Sequence, residues 1–141
     1  MTKVDFLASQ ETDLEARLRL ACRVAQKAIR SESPVFIACQ SQSQLAELDA
    51  LLWNFEPESF LAHTNLAEGA EQDAPITLGT AENCGDHHGV LINLCAQVPP
   101  YFSRFERLFE LVVQVPEILE CTRANWSYYK SRGYPLDFKT L

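Results

Sequence analysis

The residues best suited to chemistry lie near the end of the chain, where cations and aromatic rings are interleaved. Arg123, Trp126 and Lys130 are spaced i, i+3 and i+7, so on a helix they share one face. A guanidinium can bind a carboxylate through two parallel hydrogen bonds, and an indole beside it supplies an apolar wall. The spacing therefore predicts a carboxylate site of the kind that a short acidic peptide would need.

The charge distribution favours an acidic partner for this segment. Residues 121–141 carry four cations and one carboxylate, a net charge of +3, whereas the whole chain carries −7 and the remainder therefore −10. An acidic surface repels a phosphate backbone, so binding nucleic acid is not expected to be the main task. Two alternatives stay open: a solvated helix face above a packed ring, and direct stacking of Trp126 and Tyr134 on single-stranded DNA.

Signals for catalysis or metal binding are weak. Cys39 ends an apolar run and pairs formally with His63, but an inert buried thiol is the favoured interpretation. The segment 84–88 contains one Cys, one Asp and two His, yet it lacks a second ligand pair at finger-like spacing. We therefore predict no catalytic residue, no metal and no cofactor.

The elements that must position these residues alternate between apolar runs and amphipathic stretches. Strands are predicted at Lys3–Leu7, Val35–Cys39, Pro75–Leu78, Gly89–Cys95 and Leu111–Val115. The first helix is predicted from a capping box of Thr12 and Glu15 to Arg30, and the second from Ser41 or Ser43 through Trp53, followed by a loop from Asn54. A third is predicted after Pro100 through Phe102, Phe105, Leu108 and Phe109, and a last one from about Glu117 to Arg132. Gly133 is expected to cap the last helix, and Asn65–Ala74 to form a loop.

This alternation predicts an α/β fold over residues 1–141, with one domain in three layers and a mostly parallel sheet with helices on both faces. No glycine follows either of the first two predicted strands, where a phosphate-binding loop would need one. The expected fold is therefore Rossmann-like without a nucleotide-binding loop. A small nucleotide-binding protein or an enzyme of unknown substrate remains the alternative.

Without an apolar run long enough for a membrane span, or an N-terminal signal pattern, the chain is expected to be cytoplasmic.

Five motifs occur in the same order as in a known family. They are Val35-Phe36-Ile37-Ala38-Cys39, Leu48-Asp49-x-x-Leu52-Trp53, Pro57-Glu58-Ser59-Phe60-Leu61-x-His63-x-Asn65, Val112-Val113-x-Val115-Pro116 and Arg123-x-x-Trp126-x-x-Tyr129-Lys130-x-x-Gly133-Tyr134. Together they resemble the chi subunit of the bacterial DNA polymerase III holoenzyme over nearly the whole chain. The resemblance implies a non-catalytic clamp-loader accessory without nucleotide binding. It also implies two partners: the psi subunit and the acidic C-terminal tail of single-stranded DNA-binding protein, with nucleic acid contacted only indirectly.

The resemblance assigns roles to residues near the C-terminus. Arg123 matches the arginine that receives the terminal carboxylate of the tail, Val115 and the Trp126 ring are expected to form the apolar wall, and Lys130 and Arg132 to attract the tail's aspartates. Relatives tend to place a lysine after the aromatic residue, where this chain has Ser127, so affinity is expected to be lower or to depend on Lys130.

A second surface follows from the same resemblance. Trp53, Pro57 and Phe60 match the region that contacts psi, and two aromatic residues around a proline suit an interface anchor. A helix end tucked into the core is an equally good explanation of these three residues alone. His63, nearby, is interpreted as structural.

Overall fold

The structure is a computed structural model that describes residues 1–54, 63–65 and 74–141. Its strands are β1 (Lys3–Ala8), β2 (Val35–Cys39), β3 (His63–Asn65), β4 (Ile76–Thr80), β5 (Val90–Asn93), β6 (Arg107–Val112) and β7 (Leu136–Thr140). Its helices are α1 (Leu14–Arg30), α2 (Gln42–Asn54) and α3 (Pro116–Ser131), and a 3-10 turn covers Phe102–Arg104. Among the described residues, no helix has the length and hydropathy that a membrane crossing requires.

The strands form one sheet in the order β3-β4-β2-β5-β6-β1-β7. Every neighbouring pair is parallel. Helices α1 and α2 pack on one face, where Leu18, Ala21 and Leu48 join a core with sheet residues such as Ile37. Helix α3 packs on the other face, where Tyr129 joins Phe6, Phe36 and Leu108 in a second core. The predicted α/β sandwich with helices on both faces is confirmed.

Helix α1 begins one residue later than the sequence pattern indicates. Asp13 is its N-cap, and its carboxylate accepts a hydrogen bond from the Ala16 amide at 2.7 Å. The predicted capping box of Thr12 and Glu15 is therefore wrong. Ser41, one of the two predicted caps of α2, does accept a hydrogen bond from the Gln44 amide at 3.1 Å.

The interpretation of residues 102–109 as a helix is also wrong. The 3-10 turn ends at Arg104, and the chain continues as β6, which begins at Arg107 and ends at Val112. Aromatic spacing at Phe102, Phe105 and Phe109 suits a helix, but β6 is held in register by β1 on one side and β5 on the other. Backbone pairing on both sides outweighs the local pattern, and the strand predicted at Leu111–Val115 is displaced accordingly.

Strands β3 and β7 lie outside the sequence-based predictions. Strand β7 follows α3 through Gly133, whose φ of +77° confirms the predicted left-handed cap. It pairs in parallel with β1 and stands at the end of the strand order. Strand β3 includes Asn65, the first residue of the predicted loop; residues 66–73 of that loop lie outside the described part of the chain.

Candidate functional site

Helix α3 presents two chemically different faces. Ile118, Thr122, Asn125 and Tyr129 are buried against the sheet. Leu119, Arg123, Trp126 and Lys130 recur at i, i+4, i+7 and i+11, so they form a continuous row along the helix, which we call the α3 stripe. Arg123 and Lys130 are exposed, while Leu119 and Trp126 are half-buried. The predicted grouping of cation, aromatic ring and cation is therefore open to solvent.

The Trp126 ring is supported from below by two strands. Its centroid lies 5.0 Å from that of Phe6 on β1 and 6.2 Å from that of Phe138 on β7, both in edge-to-face geometry. Phe138 is itself 58% exposed. The two rings of Trp126 and Phe138 thus form an apolar surface that is held in place yet still accessible. In the sequence, Phe138 is one of several aromatic residues of the C-terminal segment and is not assigned to the site, because only the pairing of β7 with β1 brings it under the helix.

The cations around this surface lack partners among the described residues. In the described part of the chain, no ion pair or side-chain hydrogen bond involves Arg123, Lys130 or Lys139. Lys3, in contrast, lies 3.5 Å from the Asp137 carboxylate. An exposed guanidinium without an internal carboxylate can bind one from another molecule at little cost in desolvation.

Two predicted site residues are not brought next to Trp126. Val115 is the N-cap of α3 and packs with Ala16, Val113 and Ile118. It lies 11 residues before Trp126, about 16 Å along the helix axis. Leu119, which sequence reasoning missed, lies between them on the same row. A peptide that contacts both Val115 and Trp126 must therefore extend over about five residues.

Arg132 lies on another side of the helix. It is the C-cap residue of α3, and its guanidinium stacks over the Tyr128 ring at 3.7 Å from the centroid. Tyr128 is two positions after Trp126, so its side chain points away from the α3 stripe. Arg132 can add to the local potential but does not line the stripe.

The residues predicted for the second surface are described only in part. Trp53 lies near the end of α2 and is 53% exposed. Pro57 and Phe60 lie outside the described residues, as do their contacts. Because α2 and α3 pack on opposite faces of the sheet, Trp53 and the α3 stripe belong to opposite sides of the molecule.

A buried polar cluster occupies the carboxyl ends of β5 and β6, where α/β proteins commonly place their active sites. Glu110 is fully buried and accepts hydrogen bonds from Asn93 Nδ2 at 2.8 Å, Tyr129 Oη at 2.7 Å and Asn125 Nδ2 at 3.4 Å. Burial raises the pKa of Glu110, against the opposing effect of these donors and of Arg17. We call these five residues the Glu110 cluster.

Arg17 closes this cluster from the side of α1. It is 3% exposed, and it donates from Nε to the carbonyl oxygen of Leu111 at 2.9 Å and from Nη1 to that of Leu94 at 3.2 Å. Burial lowers the pKa of Arg17, and the nearby Glu110 carboxylate partly offsets that effect. The cluster is thus satisfied mainly by the protein's own atoms and fits a structural role.

The other candidate sites lack the properties that chemistry would need. Burial raises the pKa of the Cys39 thiol to about 12, so the thiolate is scarce at neutral pH. Cys84 is buried, and its sulfur accepts a hydrogen bond from Arg104 Nη1 at 3.4 Å. Within the ranges that the structure describes, no three His, Cys, Asp or Glu side chains are grouped as a metal ion would require.

Comparisons with known proteins place the chain among named relatives. A family model described as DNA polymerase III chi subunit, HolC, matches residues 1–137. The DNA polymerase III subunit chi of Pseudomonas aeruginosa is 42% identical over 136 residues, which cover 96% of this chain and 94% of that protein. The proteins of the same name from Escherichia coli and Haemophilus influenzae are 26% and 25% identical, over 99% and 86% of this chain and 90% and 85% of their own.

A solved structure has a similar fold at much lower identity. The crystal structure of T4 UvsW has a TM-score of 0.68 and 8% sequence identity, over 99% of this chain and 41% of that one. At this identity the likeness concerns the fold alone.

Proposed function

Because the chain belongs to the DNA polymerase III chi subunit family, and is thus a replication accessory subunit, we propose that it links the clamp-loader complex to single-stranded DNA-binding protein. It binds the acidic C-terminal tail of that protein on the α3 stripe and the psi subunit on a surface around Trp53. It catalyses no reaction itself.

The observation that carries this proposal is the exposed Arg123, without an ion pair among the described residues, beside the open rings of Trp126 and Phe138. The guanidinium receives the terminal carboxylate of the tail through two parallel hydrogen bonds. The last apolar side chain of the tail settles on the two rings. Lys130 attracts the preceding aspartates by Coulomb forces that salt screens.

Two further predicted residues contribute at the ends of the site. Val115 lies on the far side of Arg123 from Trp126, so it borders the site beyond the terminal carboxylate of the tail. Arg132, stacked on Tyr128, acts at longer range. Ser127, next to Trp126, adds no charge, so Lys130 and Lys139 provide the positive potential.

The psi surface is proposed from Trp53, Pro57 and Phe60. Its support is the family membership and the 53% exposure of the Trp53 side chain. Trp53 and the α3 stripe are on opposite sides of the sheet. The two partners therefore do not compete, and the subunit can hold both at once.

A non-catalytic role is favoured because the two candidate reactive groups in the described part of the chain are buried. The Glu110 cluster is buried, and the pKa of Cys39 is raised to about 12.

Direct stacking on single-stranded DNA is less favoured, because the Tyr134 ring is held edge-to-face against Phe102 at 5.0 Å. The nucleotide-binding alternative is tested by melting the protein with nucleotides and divalent metals, since a specific ligand would raise the melting temperature.

The decisive experiment is Arg123→Ala, with binding followed by fluorescence anisotropy of a labelled tail peptide. Removing a charge-assisted hydrogen-bond donor is expected to weaken binding by about 1.5–3 kcal/mol, or roughly 10- to 150-fold. Arg30→Ala is the matched control, because Arg30 is an exposed arginine at the end of α1. Unchanged affinity in Arg123→Ala, with a folded protein, would contradict the site.

A further inference from the structure

Strand β7 has an outer edge that pairs with no described strand. It is the last strand in the sheet order, and its partner in the described part of the chain is β1. Four of its five residues, Asp137 to Thr140, are exposed. Such an edge offers backbone donors and acceptors to any extended chain of suitable side-chain chemistry.

The register identifies which backbone groups are offered. Val4 donates its amide to the carbonyl oxygen of Pro135 at 3.0 Å, and Leu141 donates to that of Ala8 at 2.8 Å. In a parallel pair alternate residues bond to the neighbour, so the odd-numbered residues of the segment 135–141 face β1. The amides and carbonyls of Leu136, Phe138 and Thr140 consequently point outward.

The α3 stripe flanks this edge. The Trp126 ring contacts Phe6 on β1 and reaches Phe138 on β7, so the side of α3 that carries Trp126 lies toward β7. Arg123 and Lys130 are one turn before and after Trp126 on the same side. A chain added beside β7 would therefore have the rings and both cations on one of its faces.

We propose that the acidic tail binds as an added parallel strand on the outer edge of β7. The inference rests on the proposed function and specifies how the tail is held. Helix α3 runs opposite to the strands, so Arg123 lies toward the end of the sheet at which β7 finishes. A terminal carboxylate at Arg123 therefore directs the tail along β7, which continues the all-parallel sheet.

Charge complementarity supports an acidic peptide as the occupant. Side chains of an added strand alternate between the two faces of the sheet. Those on the α3 face meet Arg123 and Lys130. Those on the opposite face meet Lys139, which follows Phe138 in β7 and therefore lies on the other face of the sheet. All three cations lack ion pairs within the described ranges, so carboxylates on both faces of the tail find a partner.

The test is an N-methyl scan of a synthetic tail peptide, with one backbone amide methylated at a time. Methylation at amides that point to β7 is expected to weaken binding about tenfold, and methylation at the alternate amides less than about threefold. A period of two confirms the added strand. Tight binding of the parent peptide with no alternation overturns it. If the parent peptide does not bind at all, the proposed function has failed instead.

A protein variant provides an independent measurement. Thr140→Pro removes an outward amide without removing a hydrogen bond to β1, a position where an edge strand tolerates proline. It is expected to weaken tail binding about tenfold, whereas Thr140→Ala, which keeps the amide, changes it less than about twofold. Unchanged melting temperatures show that both variants fold. If Thr140→Pro alters only self-association in sedimentation, the edge belongs to a second copy of the chain and the inference is wrong.

Discussion

Both faces of α3 carry hydrogen-bond donors, but on one face the donors are paired within the protein and on the other they are not paired within its described part. Asn125 and Tyr129 point inward and donate to the Glu110 carboxylate, which has no contact with solvent. Arg123 and Lys130 point outward and find no carboxylate in the described part of the protein. The Glu110 cluster occupies the usual position of an α/β active site, yet it is buried and its hydrogen bonds are made internally; of its buried side-chain atoms, Arg17 Nη2 is the one left without a partner among the described residues. Exposed polar residues indicate a binding site where the protein leaves them without partners.

The inner face also determines where the outer face lies. Tyr129 is fully buried and its hydroxyl is 2.7 Å from Glu110, which fixes the rotation of α3 about its axis. With that rotation fixed, Trp126 meets Phe6 and Phe138 and the α3 stripe faces solvent beside β7. The structural cluster thus positions the proposed binding site, and the two faces are expected to respond differently to substitution.

The largest expected effect is on the inner face. Glu110→Ala leaves Asn93, Asn125 and Tyr129 with unpaired donors and leaves the Arg17 charge uncompensated. We expect a loss of about 3–5 kcal/mol in the free energy of unfolding, measured by urea denaturation. Glu120→Ala, on the exposed side of the same helix, is expected to stay within about 0.5 kcal/mol. Equal stability of the two variants would remove the distinction between the faces.

A smaller effect, also specific to the inner face, is the pH dependence of the free energy of unfolding. Burial raises the pKa of Glu110, so the folded protein binds this proton more tightly than the unfolded chain does. The resulting stabilisation is complete below the ordinary glutamate pKa and is lost as the pH rises through the raised pKa. Relative to Glu110→Gln, which cannot titrate, the wild-type free energy of unfolding should fall as the pH rises across that window. Denaturation at a series of pH values measures this difference, and a difference independent of pH would contradict it.

The smallest expected effect is on the outer face. Lys130→Ala is expected to weaken tail binding by about 0.2–1 kcal/mol, because an exposed ion pair is screened by water and salt. The stability of the fold should not change. Isothermal titration at low and high salt measures the difference, which should shrink at high salt. Lys27→Ala, the loss of an exposed lysine on α1, is the control, and an equal loss of affinity there would mean that the effect is not local.

The sequence predicts the elements whose signal is local. Val35–Cys39 is an uninterrupted apolar run and becomes β2, an interior strand of the sheet with every residue buried. The spacing of Arg123, Trp126 and Lys130 is a property of one helix, and these residues do lie on one exposed row. Gly133 ends that helix as predicted, with a positive φ. In each case the determining residues are within a few positions of one another.

The sequence does not predict features that depend on distant partners. In the segment Leu136–Thr140, the charged residues Asp137 and Lys139 alternate with the others, and the segment becomes strand β7 because β1 pairs with it. Phe138 joins the Trp126 ring for the same reason. The burial of Glu110 also cannot be seen locally, since its donors Asn93 and Tyr129 are 17 and 19 residues away in the chain.

The location of β1 between β6 and β7 has a consequence for synthesis of the chain. Lys3 pairs with Arg107 and Val4 with Leu136, so both neighbours of β1 are translated more than a hundred residues after it. Val4 and Phe6 are fully or almost fully buried in the folded protein. During synthesis they have no neighbouring strand to pair with until the later residues have been translated. Such non-local pairing slows folding, because β1 stays without its neighbours until β6 and β7 have both been synthesised.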